Sequence, residues 1–142
     1  MLLQIVLDTN VIISAMRSNR GTSFEILRLV GTDAGFEINL SVPLVIEYES
    51  VAKRATEGLD MRAKDVDNII SYLCEVANQH KIHYLWRPVL PDPKDDMVLE
   101  IAVAGQCEYI VTHNVKDFRG VEQFGIKIAT PQMFLLMLGE EI

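Results

Sequence analysis

Leu2-Leu3-Gln4-Ile5-Val6-Leu7-Asp8-Thr9-Asn10 opens with a run that is apolar apart from Gln4, rich in branched side chains, and stopped by an acid. A strand with one face in water alternates polar and apolar residues; this run does not, so it reads as a strand covered on both faces, as in a parallel sheet. Three further short runs look alike, Glu37 to Leu40, Ile82 to Trp86 and Tyr109 to Val111, with a weaker fifth at Ile126 to Ala129. In open α/β sheets ligands gather beyond the carboxyl ends of the strands, and Asp8 stands there on the strand expected to be central.

Helical patterns fill the intervals. Val11 to Met16 and Ser23 to Val30 read as helices, the second with Thr22 as an N-cap candidate and Gly31 as its stop. Ser41 and Pro43 open a third that runs to about Ala55, since Ser suits the cap and Pro a first turn. Met61 to Gln79 repeats apolar residues at helical spacing through Val66, Ile69, Ile70, Leu73 and Val76. Lys94 to Ala104 is apolar nearly all round, and Pro131 to Leu138 forms the last helix. Strands alternating with helices predict a three-layer α/β/α sandwich around a mostly parallel sheet of about five strands, with residues 1–142 as one domain.

Composition agrees with a globular chain of ordinary core size, at 49% hydrophobic and 23% charged over 142 residues. No basic residue precedes the first apolar run and Asp8 cuts it short, so it is not read as a signal sequence. No stretch is long enough to cross a bilayer, and a cytoplasmic location is expected. Cys74 and Cys107 lie too far apart for a metal knuckle and read as core residues. Thirteen basic against 20 acidic residues give a net charge of −7, the wrong sign for a protein that holds nucleic acid by a broad basic face. A site that holds cations on carboxylates would carry that sign locally, because a bound ion reverses the field that a substrate meets.

Four acids stand where an acid needs a reason. Asp8 could cap the helix that follows, or bind a ligand. Glu47 falls on the apolar stripe of Leu44, Tyr48 and Val51, and a core-facing carboxylate must meet a cation, a salt-bridge partner or a cleft. Glu49, about 200° further round the helix, pairs instead with Lys53 on the solvent face. Asp95 shares a face with Val98, Leu99 and Ala102; it could also be the third residue of a helix capped by Asp92, with Pro93 in the first turn. Asp96 beside it is a ligand or a supporting residue. After Val111 come Thr112, His113, Asn114, Val115, Lys116 and Asp117, offering a hydroxyl, an amide and an acid at another strand end. Oxygen donors of this kind suit Mg²⁺ or Mn²⁺, whereas His80, His83 and His113 make no transition-metal set. His80 and His83 are expected to be exposed near a helix end.

Asp8-Thr9-Asn10, Glu47-Tyr48, Asp95-Asp96 with Leu99-Glu100-Ile101-Ala102, and Val111-Thr112-His113-Asn114 with Asp117-Phe118 together resemble the PIN-domain nucleases over nearly the whole chain. The resemblance is closest to the PIN proteins of toxin–antitoxin pairs, relatives of the VapC toxins. It implies that Asp8, Glu47 and Asp95 hold the metal while Thr9 and Thr112 support them through hydroxyl hydrogen bonds, with Asn10 and Asp96 alongside. Many family members carry Asp where this chain has Asn114, so Asp117 becomes the candidate fourth acid and Asn114 a supporting carbonyl. The implied activity is that of a metal-dependent endoribonuclease, hydrolysing RNA through an activated water, with Mg²⁺ or Mn²⁺ as cofactor. Arg17, Lys94, Lys116 and Arg119 are candidate phosphate contacts. Family members are often homodimers silenced by a cognate antitoxin. The alternatives are a PIN-like module that binds RNA or a protein without cutting, and a phosphotransfer site, which wants a second acid where Asn10 stands.

Overall fold

A computed structural model describes residues 2–57, 63–82 and 90–139. Its elements alternate as the sequence requires: β1 (Leu3–Leu7), α1 (Thr9–Arg17), α2 (Thr22–Leu29), β2 (Phe36–Leu40), α3 (Val42–Ala55), α4 (Ala63–Val76), β3 (Asn78–Gln79), α5 (Pro93–Ala104), β4 (Tyr109–Val111), β5 (Lys127–Ala129) and α6 (Pro131–Leu138). The five strands form one sheet in the order β3-β2-β1-β4-β5, with every pairing parallel. Ile5, Val6 and Leu7 are all buried. Successive strand residues point to opposite faces, so this burial means that helices cover both sides of the sheet.

β1 is central. It pairs with β2 through Leu3↔Phe36, Gln4↔Glu37 and Ile5↔Ile38, and with β4 through Ile5↔Tyr109, Val6↔Ile110 and Leu7↔Val111. The chain leaves β1 toward one side of the sheet and returns later on the other, so the end of β1 lies at the switch point where such sheets open a crevice. Two ladder-type bonds extend past the strands: Asp8 N donates to Val111 O at 2.9 Å and Thr112 N to Ala129 O at 2.9 Å.

Helix boundaries follow local chemistry. Ser41 caps α3, its hydroxyl accepting from Leu44 N at 3.3 Å, and Asp92 caps α5, accepting from Lys94 N at 2.9 Å. Thr130 caps α6, accepting from Met133 N at 3.2 Å. Gly31 stops α2 with a φ of +81°, a region open to glycine. The cap of α2 is Gly21, which has no side chain to bond the helix, and Thr22 instead begins it. α6 divides its residues by face: Phe134 and Leu135 are buried, Phe134 meeting Phe36 edge-on at 5.3 Å, while Met133, Leu136 and Met137 face outward.

The third strand differs from the expected one. β3 is the polar pair Asn78–Gln79, whereas residues 83–86 of the expected strand lie outside the described residues, as does His83. Side-chain amides hold that edge. Gln4 Oε1 accepts from Asn39 Nδ2 and Asn78 Nδ2, each at 3.0 Å, and Asn39 Oδ1 lies 2.7 Å from His80 Nε2. His80 is therefore half-buried within this network rather than exposed. Cys107 is buried, which pushes its thiol up to about 12 and leaves it inert, and Cys74 is half-buried.

Candidate metal-binding cleft at the carboxyl end of the sheet

Asp8 is held by three elements at once. It occupies the N-cap of α1, where Oδ1 accepts from Thr9 N at 2.8 Å, and its Oδ2 accepts from the Thr112 hydroxyl at 2.7 Å. Below it, the buried hydroxyl of Tyr48 on α3 donates to Leu7 O. Capping and ligand binding are thus compatible here, because the positive end of α1 favours an anion. Burial raises the Asp8 pKa above the ordinary carboxylate value; the bonds from Thr112 and Thr9 oppose that rise, and nearby Asp117 adds to it.

Thr112 is the hub of the neighbouring turn. It is fully buried, and its Oγ1 also accepts from Asn114 N at 3.0 Å and lies 3.4 Å from Asn10 Nδ2. Asn10 Oδ1 in turn accepts from His113 N at 3.3 Å, and His113 Nε2 meets Ser23 Oγ at 2.8 Å. The turn that carries Asn114 and Asp117 is fastened in this way to α1 and α2. Asp117 lies in a 3-10 turn over Val115–Phe118, anchored by the buried Phe118.

An open cleft of about 780 Å³ runs across this end of the molecule. Asp8, Glu47, Asp95 and Asp117 all line it, together with Thr9, Asn10 and Asn114. Four acids separated by up to 109 positions in sequence therefore share one cleft. Glu47 has a partner of a kind: Lys94 Nζ stands 3.9 Å from its Oε1, at the outer limit of an ion pair. Asp95 shows the strain of shared charge most clearly. Burial first, then the carboxylates of Asp8, Asp92, Asp117 and Asp96, push its pKa up to about 7. Its backbone N–H, at 3.0 Å from Asp92 O, closes the first turn of α5.

Asp96 turns away from the cleft. It is buried, its Oδ1 accepts from Leu90 N at 3.0 Å, and its Oδ2 has no hydrogen-bond partner among the described residues. One position along a helix is a rotation of about 100°, which separates the two adjacent acids. Arg17 and Lys94 line the cleft, whereas Lys116 and Arg119 are exposed outside it. Sequence reasoning missed Arg54, which also lines the cleft. Its signal was the spacing Glu47, Val51, Arg54 on α3, a continuation of the stripe that singled out Glu47.

A divalent cation fits this donor set. The ligands are hard oxygens, they repel one another, and Lys94 supplies only a distant countercharge. As they stand, no three His, Cys, Asp or Glu side chains among the described residues converge closely enough to hold one ion.

Comparison with curated proteins found no match in sequence. Among solved structures, the chain is similar to the VapBC2 complex of Rickettsia felis bound to a DNA fragment from its promoter, with a TM-score of 0.62 and 13% identity; the likeness covers 90% of this chain and 98% of that one. It is similar as well to VapBC-1 from nontypeable Haemophilus influenzae, with a TM-score of 0.60 and 18% identity over 92% and 99% of the respective chains. At these identities the likeness establishes the fold. The sequence itself matches the PIN domain model over residues 4–116, a span that holds Asp8, Glu47, Asp95, Thr112 and Asn114. The chain belongs to the PIN domain family, a family of nucleases.

Proposed function

We propose that this protein is a metal-dependent endoribonuclease acting on single-stranded or structured RNA in the cytoplasm, the toxin of a toxin–antitoxin pair. The observation that carries the reading is the gathering of Asp8, Glu47, Asp95 and Asp117 on one cleft at the switch point of the sheet. These four would hold Mg²⁺ or Mn²⁺, which supplies a lowered water pKa and neutralises charge on the phosphorane and leaving oxygen. Water adds across the P–O3′ bond, leaving a 5′-phosphate and a 3′-hydroxyl, so the substrate's own 2′-hydroxyl is not consumed.

The chain's own residues have divided tasks. Thr112 and the Thr9 N–H fix the two oxygens of Asp8, and their hydrogen bonds favour its ionised form against the burial that opposes it. Asn10 and Asn114 fix the turn beside it. Lys94, whose side chain is 62% exposed and only 3.9 Å from Glu47 Oε1, would be free to contact a substrate phosphate.

An antitoxin that occupies the cleft is the partner suggested by the fold's likeness to VapBC complexes. Self-association as a homodimer would use the outward face of α6 at Met133, Leu136 and Met137. Among the described residues no helix is long and apolar enough to cross a membrane.

The test is cleavage of labelled single-stranded RNA in Mn²⁺, repeated with excess chelator and with Asp8→Asn. Cleavage that needs the metal and disappears in the variant supports the enzyme. Equal behaviour of both proteins with the cation present removes the catalytic reading and leaves a module that binds without cutting.

A further inference from the structure

The cleft has two unlike ends, and the same order of side chains joins them along two independent helices. On α1 the acid end is Asp8, Ile13 follows, and Arg17 closes the series. On α3 the order is Glu47, Val51, Arg54. Seven residues of helix separate Glu47 from Arg54, a rise of about 10 Å, and eight separate Thr9 from Arg17, about 12 Å. Both helices therefore lead from the carboxylates over an apolar saddle to an arginine at similar distance.

The arginine ends are fastened side by side. Arg17 Nη2 lies 3.4 Å from Ala55 O, the last residue of α3, and Arg54 Nε lies 3.4 Å from Ser50 O. The contact to Ala55 O uses a carbonyl at a helix end, where a cation is favourable for its own sake, and the contact to Ser50 O stays within α3. They leave most of the guanidinium donors unused, and among the described residues neither arginine has a carboxylate partner. Arginines that only complemented the helix ends would have no need to lie on the walls of the cleft, with Ile13 and Val51 between them and the acids.

We propose that Arg17 and Arg54 form a second phosphate subsite, which holds a backbone phosphate flanking the scissile one while the intervening nucleoside lies over Ile13 and Val51. The inference rests on the nuclease reading above and adds direction to it: the strand enters along α1 and α3, with the bond to be cut at the acid end. Guanidinium forks suit a phosphodiester, since both oxygens can be met together.

The test is single-turnover cleavage of a labelled single-stranded RNA in Mn²⁺, with protein concentration varied, at several salt concentrations. Arg54→Ala is expected to raise the concentration for half-maximal rate about tenfold while the maximal rate stays within about threefold. The slope of log affinity against log salt should become shallower by about 0.7, the loss of one phosphate contact on a single strand. Arg54→Lys should restore that slope, since the charge returns. A series of RNAs with one neutral methylphosphonate each should contain a flanking position that weakens the wild type and has no effect in Arg54→Ala. Arg54 carries the test because its own contact, to Ser50 O, lies within α3, whereas Arg17→Ala also breaks a tie between α1 and α3.

Wild type that cuts RNA while Arg54→Ala keeps its half-maximal concentration and salt slope overturns the subsite and leaves the nuclease standing. Wild type that neither binds nor cuts RNA overturns both. Unchanged RNA parameters together with lost binding of an acidic peptide would give the arginines to a protein partner and also overturn the subsite.

Discussion

Thr112 Oγ1 donates to Asp8 Oδ2 at 2.7 Å, joining the ends of two adjacent parallel strands across 104 residues of sequence. This bond decides the direction of one Asp8 oxygen, and the Thr9 N–H decides the other. Thr112→Val keeps the shape of the side chain and removes the donor. Affinity for Mn²⁺ is expected to fall about 10- to 100-fold, as when other supporting partners of metal ligands are lost. Calorimetric titration with Mn²⁺ measures it, and an unchanged affinity in a folded variant refutes the role given to Thr112.

Asp95 makes the protein's stability depend on pH. Its carboxyl titrates near 7 when folded and near 3.8 when exposed, so the folded chain holds an extra proton between those values. Stability in the absence of metal therefore falls as pH rises through that window and stays lower above it. Asp95→Asn should gain on wild type over the same window by about 1 kcal/mol, solvent around the half-exposed carboxylate screening the remainder. Thermal unfolding in chelator at several pH values checks this. A difference between the two proteins that does not change with pH contradicts it.

Tyr48 supports the site from below. Its hydroxyl is buried on α3 and donates to Leu7 O, one residue before Asp8. Tyr48→Phe deletes that donor without opening a cavity and should cost about 1–3 kcal/mol of stability. The urea midpoint reports it directly. A midpoint equal to that of the wild type shows that Leu7 O finds another partner.

Gly105 closes α5 at the end away from Asp95, against Asn39 and His80. A Cβ there would stand 2.9 Å from Asn39 Oδ1 and 3.1 Å from His80 Nε2, two groups already bonded to each other. Gly105→Ala should destabilise by about 1–3 kcal/mol through this crowding, with the Mn²⁺ affinity of the cleft unchanged. Equal loss of metal binding and stability would mean that the two regions are coupled.

The legible parts of this chain were those with a strong local pattern. Leu3–Leu7, Tyr109–Val111 and α6 follow from apolar runs and from proline at a first helical turn. Glu47 stood out because an acid interrupted an apolar stripe, and it does line the cleft. Asn78–Gln79 escaped because a two-residue strand made by amide bonding to Gln4 and Asn39 has no hydrophobic signature. Asp96 could not be told from Asp95 by sequence, since only the rotation of α5 sends one into the cleft and the other to Leu90 N. Arg54 was passed over although it continues the stripe of Glu47 and Val51, because what places it beside Arg17 is α1 lying alongside α3, a tertiary fact.

The backbone beneath Asp8 and Thr112 also determines how such a protein can be switched off. Asp8 N is bonded to Val111 O and Thr112 N to Ala129 O, continuing the ladders that join β1 to β4 and β4 to the edge strand β5. The Asp8 amide, on the innermost strand, is expected to exchange its hydrogen by global rather than local unfolding, which hydrogen exchange measures. A site built on the slowest-opening part of its fold offers little to an inhibitor that works by loosening structure. On the proposed function, control would then come from blocking the cleft or withholding a cation from it, and removing the blocker would restore a site that was never dismantled.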